Sequence, residues 1–153
     1  MISGKSNQWF IRTATFADLD AVKSIADAHR HELGFVILPS LREQIERGQM
    51  LVAMDRDEIV GFVDYHHRRD GQITLYHIAV EPEARTRGIG RALLDTLLQV
   101  ARQAGSTRIV LKCPVDLQAN QFYGQYGFQL VETLNGRKRA LNEWVLEIEV
   151  AGT

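Results

Sequence analysis

Ile73-Thr74-Leu75-Tyr76-His77-Ile78-Ala79-Val80, then Glu81-Pro82-Glu83-Ala84-Arg85-Thr86-Arg87-Gly88-Ile89-Gly90-Arg91-Ala92-Leu93-Leu94, is the stretch on which the fold turns. Apolar residues on both alternating faces of 73–80 predict a buried, central strand. Pro82 ends it, and 81–90 reads as a loop rich in Arg and Gly. A helix follows over 89–104, with Ala92, Leu93, Leu97, Val100 and Ala101 on one face and Gly105 as its stop. Amides in a helix's first turn have no intrahelical partner and are ready donors for a phosphate. Arg85, Arg87 and Arg91 add charge to such a site. Simple turn geometry and a solvated basic face explain the same residues as well. The loop lacks the third Gly of a dinucleotide fingerprint and the Gly-Lys-Ser/Thr of a Walker loop.

On the N-terminal side, Trp9 to Arg12 predicts a strand. Thr15 with Asp18 is a capping-box pattern that opens a helix over 16–32, its buried face formed by Leu19, Val22, Ala26 and Leu33. Ser40 with Glu43 repeats the pattern for a short helix over 41–47, stopped at Gly48. Strands follow over 50–54 and 59–67 around the turn at Asp55-Arg56-Asp57-Glu58. On the C-terminal side the expectations are a strand over 108–112, a helix over 117–126 ended by Gly127, a strand over 128–133, the hairpin signal Asn135-Gly136 and a last strand over 141–149. The order is βααβββαβαββ. It implies an α/β (α+β) fold with a mixed sheet of about seven strands and helices on both faces, in a single domain over 9–150 after a flexible segment at 1–8.

The bulk composition narrows the classes. The chain has 153 residues, 45% of them hydrophobic, a size and content suited to one packed domain. Lys and Arg total 18 against 19 Asp and Glu, without the positive excess of a domain that grips nucleic acid, so no nucleic-acid partner is expected. No apolar run approaches the length of a membrane span, so no membrane partner is expected either. The single Cys113 forms no internal disulfide and reads as a small core residue. The expected location is cytoplasmic. His29, His31, His66, His67 and His77 do not share faces as metal ligands would, and no metal is expected.

Two segments carry a resemblance. Ile78-Ala79-Val80, Pro82, Arg85-x-x-Gly88-x-Gly90 and Leu93-Leu94 resemble the acyl-CoA signature of the GNAT superfamily, the GCN5-related N-acetyltransferases. Ala119-Asn120-Gln121-Phe122-Tyr123-Gly124-Gln125-Tyr126-Gly127-Phe128 resembles its Ala…Phe-Tyr-x-x-x-Gly-Phe helix–strand element. The pair occurs in the family's order, and the resemblance covers roughly residues 9–149. It implies a GNAT-like acyl-CoA N-acyltransferase fold and an acetyl-CoA-dependent N-acetyltransferase, an enzyme that moves acetyl from the thioester to a primary amine of a small molecule, peptide or protein by direct attack.

The resemblance also implies residue roles. The strand over 75–80 would splay from that over 108–112 to admit the pantetheine arm, with backbone near Ile78, Ala79 and Val80 pairing to it. Amides of Arg85, Thr86, Arg87, Gly88, Ile89 and Gly90 would cradle the pyrophosphate, with Arg91 adding a charged contact to the cofactor. Tyr123 would be the general acid that protonates the departing thiolate. Where members often carry Asn seven residues before that Tyr, this chain has Asp116; Asn120, three before Tyr123 on one helical side, is the alternative residue to face the cofactor. His77, with an imidazole suited to proton abstraction near neutrality, is the candidate base, and a hydrogen-bonded structural role fits it too. Asp116 and Glu32 are weaker candidates.

The acceptor side would involve His29 to Leu38 and Leu134 to Arg139, where His29, His31 and Glu32 either touch a polar acceptor or are surface. The basic run Arg137-Lys138-Arg139 reads as solvated. The last strand offers a route to a homodimer by pairing across the interface. A catalytically silent CoA-binding sensor of the same fold is the alternative function.

Overall fold

The computed structural model describes residues 8–149. Seven strands form one sheet: β1 (Trp9–Thr13), β2 (Met50–Asp55), β3 (Glu58–His67), β4 (Gln72–Val80), β5 (Arg108–Pro114), β6 (Gln129–Asn135) and β7 (Ala140–Glu147), in the spatial order β1-β2-β3-β4-β5-β7-β6. The helices are α1 (Leu19–Ala28), α2 (Arg30–Leu33), α3 (Leu38–Glu46), α4 (Ile89–Gln103) and α5 (Ala119–Tyr126). The mixed α/β architecture expected from the sequence is present, with β4 fourth of seven; Ile73, Leu75 and Ala79 on one of its faces are buried, while Tyr76 on the other is half exposed. Residues 1–7 of the expected flexible segment, and residue 150, lie outside the described residues; Gln8 is described, and its side-chain oxygen accepts from Arg56 Nε at 2.7 Å.

The described residues divide into two compact units, 8–64 with 77–94 and 65–76 with 95–149. In the first, β2 pairs antiparallel with β1 and with β3, and α1 and α3 cover an apolar cluster of Val22, Ile25, Leu41, Val52, Phe62 and their neighbours. Val22, Leu41, Val52 and Phe62 expose nothing to solvent. Burying side chains of this size stabilises by about 1.5–3 kcal/mol each. In the second unit β5 pairs in parallel with β4 and antiparallel with β7, and β7 pairs on its other edge with β6.

Four expectations are corrected. The helix over 16–32 is a 3-10 turn at Phe16–Asp18, then α1, then a break at His29 before α2. His29 is buried with backbone angles outside the helical region, and its Nδ1 lies 2.8 Å from the Ile25 carbonyl oxygen. The ring thus serves the end of its own helix, and His29 contributes to the fold rather than to an exposed acceptor surface. The helix over 41–47 begins earlier, at Leu38, because Pro39 sits in its first turn, where a fixed φ and missing N–H cost nothing; Ser40 lies inside it. Finally, β7 is interior. Both of its edges are hydrogen-bonded, so the last strand has no edge for a second copy, and the sheet ends in β6.

Candidate active site

The parallel pairing of β4 with β5 covers Gln72–Arg108, Ile73–Ile109 and Thr74–Val110. β4 runs six residues past Thr74 to Val80, and β5 runs on to Pro114. The paired register covers only these three positions near the start of β4.

After β4, Pro82–Ala84 makes a short 3-10 turn and Ala84 is buried beneath it. Arg85, Thr86, Arg87 and Gly88 are all exposed, and Ile89 is buried, so the loop offers its backbone to solvent while anchored at both ends. Thr86 has φ +68 and Gly88 φ +85. A β-branched residue in the left-handed region is uncommon and is held there by its surroundings. The Gly88 carbonyl accepts the Ala92 N–H at 3.0 Å, so Gly88 caps α4. A Cβ placed on Gly88 would meet nothing within 4 Å. An open backbone approach at a helix start suits an anionic group such as a pyrophosphate, and the residues present fit one.

Two of the three loop arginines already hold acidic partners. Arg87 Nη1 lies 2.7 Å from Asp55 Oδ2 at the end of β2. Arg85 Nε donates to the Val80 carbonyl at 3.0 Å, and its Nη2 is 3.6 Å from Glu32 Oε1. These contacts tie the loop to β2, β4 and α2. They also mean that the loop's attraction for an anion rests more on its amides than on Arg85 and Arg87. Neither Asp55 nor Glu32 is near the loop in sequence, so the motif alone did not reveal the pairing.

His77, on β4, is one-quarter exposed at its side chain and places Nδ1 2.8 Å from Oδ1 of Asp64 on β3. Asp64 is almost wholly buried, its side chain 3% exposed. Gln44 Nε2 of α3 stands 3.5 Å from its other oxygen. The sequence reading missed Asp64. The signal was an acidic residue inside an otherwise apolar strand, Val60-Gly61-Phe62-Val63-Asp64-Tyr65, where an unpartnered carboxylate would be costly. Behind the end of β4, Gly61 lies so close that an added Cβ would come 2.9 Å from the Ala79 carbonyl oxygen.

In the second unit, Tyr123 is buried on α5, its ring centroid 5.7 Å from both Phe122 and Phe128. Gly127, at φ +126, ends the helix. Asn120 is heavily engaged: its Nδ2 donates to the carbonyls of Pro114 and Leu117, each at 2.8 Å, and its Oδ1 accepts from Trp144 Nε1 at 2.8 Å and Asn142 Nδ2 at 3.1 Å. These bonds lock the start of α5 to β5 and β7 and set the position from which Tyr123 projects. Asp116 is exposed and pairs with Arg139 Nη2 at 2.7 Å. Cys113 is buried, and no described helix is long and apolar enough to cross a membrane.

Residues 11–128 match the Acetyltransferase (GNAT) family, and the chain belongs to it. Among curated proteins it is similar to human N-acetyltransferase 8, 34% identical over 91 residues that make up 55% of this chain and 40% of that one. The chain thus spans about half or less of the length of such relatives. Among solved structures it resembles Ard1 from Thermoplasma volcanium, with a TM-score of 0.84, 20% identity and coverage of 93% of this chain and 99% of that one. It also resembles yncA from Salmonella typhimurium, solved with its cofactor acetyl-CoA: TM-score 0.78, 20% identity, 96% of this chain and 98% of that one.

Proposed function

We propose that this chain is an acetyl-CoA-dependent N-acetyltransferase acting on a primary amine. The observation that carries the reading is the exposed 85–88 backbone, left-handed at Thr86 and Gly88, leading straight into α4 in a chain of the GNAT family. Acetyl-CoA supplies the activated acetyl carbonyl. The amides from Arg85 to Gly90 receive the pyrophosphate, and a helix start favours such an anion by about 0.3–1 kcal/mol at an exposed position. Ile78, Ala79 and Val80 offer β4 backbone to the pantetheine arm, as an added strand would.

In this reading the neutral amine forms the new N–C bond, His77 removes the proton that the nitrogen then carries, and the C–S bond breaks. Tyr123 gives its hydroxyl proton to the departing thiolate. The His77 imidazolium then loses its proton to solvent and the Tyr123 phenolate regains one, so one amide and one free thiol leave. Asn120 positions Tyr123 by fixing the start of α5. Asp116, exposed and paired with Arg139, lies on the side proposed to meet the cofactor. Cytoplasmic location and a homodimer complete the reading, the dimer using a surface other than the edges of β7. The matched chain in yncA holds acetyl-CoA, which supports the cosubstrate.

Calorimetric titration with acetyl-CoA, followed by a thiol-release assay over a panel of amines and peptides, tests it. Saturable binding with turnover of at least one amine is expected. Binding without any turnover would favour the silent sensor, and absence of binding would reject both.

A further inference from the structure

We infer that Asp64 is a positioning residue for His77, fixing the imidazole proton on Nδ1 so that Nε2 is the ring's proton acceptor. This rests on the reading of His77 as the base. The argument begins with burial. An almost fully enclosed carboxylate needs donors, because an unpartnered charge in a low-dielectric site is expensive. Asp64 has one toward each oxygen: His77 Nδ1 at 2.8 Å on Oδ1 and Gln44 Nε2 at 3.5 Å on Oδ2. An ionised carboxylate only accepts, so the ring nitrogen facing it must carry hydrogen. In the neutral ring Nε2 is then the acceptor, the state a general base requires.

The exposures of the two groups support the same direction. Asp64 sits at 3% and His77 at 25%, so the carboxylate is the inner, fixed member and the ring is the outer one. The strands enforce this. β3 and β4 are neighbours in the sheet, and Asp64 is held by β3's pairing with β2 at Met50, while Gln44 reaches it from α3. Three separate elements thus determine one side chain's orientation. The partly open ring leaves His77 reachable from solvent while Asp64 holds it from within.

The test reads the tautomer first, without substrate. Nitrogen-15 spectra of the histidine-labelled wild-type protein, at a pH where His77 is neutral, are expected to show a protonated Nδ1 and an unprotonated Nε2. Asp64→Asn is expected to abolish that preference, because an amide can donate to or accept from Nδ1. It should lower kcat by about tenfold or more, with the KM for acetyl-CoA within about twofold. Asp64→Glu should recover part of the loss. In a His77→Gln background, Asp64→Asn should slow the reaction no further, since two residues that act as a unit are not additive. A wild-type ring protonated on Nε2 would overturn the inference, as would an equal loss from Asp64→Asn in both backgrounds. A wild-type protein that acetylates no amine would sink the proposed activity instead, while the ring's tautomer would still decide the placement of the proton.

Discussion

Gly61 lies directly against Ala79: a Cβ on the glycine would stand 2.9 Å from the Ala79 carbonyl oxygen, 3.3 Å from Val80 Cγ2 and 3.4 Å from Val80 Cα. Two of those three atoms are backbone, so the strain cannot be released by rotating a side chain. Gly61→Ala therefore has to push the end of β4 away from β3. The expected loss of stability is about 1–3 kcal/mol, the usual range for forcing an added carbon into a filled interior, read from the urea midpoint. Because the displaced residues are those proposed to meet the pantetheine arm, acetyl-CoA affinity should fall as well. A variant with unchanged stability would show that β3 and β4 have slack here.

Tyr123 offers a cleaner separation of chemistry from folding. Its ring is buried between Phe122 and Phe128, and phenylalanine preserves that aromatic contact. Tyr123→Phe is expected to lower kcat by about a hundredfold, the scale of one general acid. The Kd for acetyl-CoA should stay within about twofold. A thermal melt close to that of the wild type would show that the loss is chemical. Unchanged turnover would remove Tyr123 from the proton-transfer step.

How far the sequence could be read follows from where each feature is encoded. The central position of β4 and the apolar face of α4 were legible because strand and helix periodicities write burial into consecutive residues: Leu93, Leu97 and Ala101 recur every four positions and are all buried. The loop before α4 was legible because Gly88 supplies a conformation that most residues avoid. The break at His29 was not, because it depends on a ring turning back to Ile25 rather than on a Gly or Pro. Asp64–His77, Arg87–Asp55 and Arg85–Glu32 were hidden for a common reason. Each joins residues on different elements, and no spacing rule within one element points to them. The bonds from Asn120 to Pro114, Leu117, Asn142 and Trp144 were likewise hidden, because its partners lie on β5, β7 and the turn before α5 rather than on its own helix.

Gly88 separates conformation from charge at the proposed pyrophosphate site. Its φ of +85 disfavours any side chain, while the space around it is open. Gly88→Ala thus tests the backbone alone, at a cost of about 1–2 kcal/mol for an L-residue in the left-handed region. Gly88→Asp adds a negative charge where an anion is to bind. Acetyl-CoA affinity, measured by calorimetry, should fall in the order wild type, Gly88→Ala, Gly88→Asp, and raising the salt concentration should narrow the gap between the two variants. Equal affinities for all three would reject the placement of the pyrophosphate.

The ion pair between Arg12 and Asp18 makes a prediction about pH that is independent of catalysis. Asp18 Oδ2 is 2.7 Å from Arg12 Nη1, Oδ1 is 2.9 Å from Nη2, and Oδ2 also accepts the Thr15 N–H at 2.7 Å. The hydrogen bonds from Arg12 hold the carboxyl below its ordinary value of 3.8, with burial opposing and the Thr15 amide assisting. A carboxyl whose value is depressed in the folded state binds its proton less readily there than in the unfolded chain. Its contribution is therefore complete well above 3.8 and is lost as the pH falls past that value and through the lower folded one. Asp18→Asn keeps an acceptor for Thr15 but loses the charge. At pH 7 it should be less stable than the wild type by about 1–2 kcal/mol, the scale of a charge-assisted bond. Urea unfolding at a series of pH values should show the two proteins converging only below the ordinary carboxyl range. A difference that persists unchanged into that acidic range would mean that the asparagine costs stability through shape rather than through the lost charge.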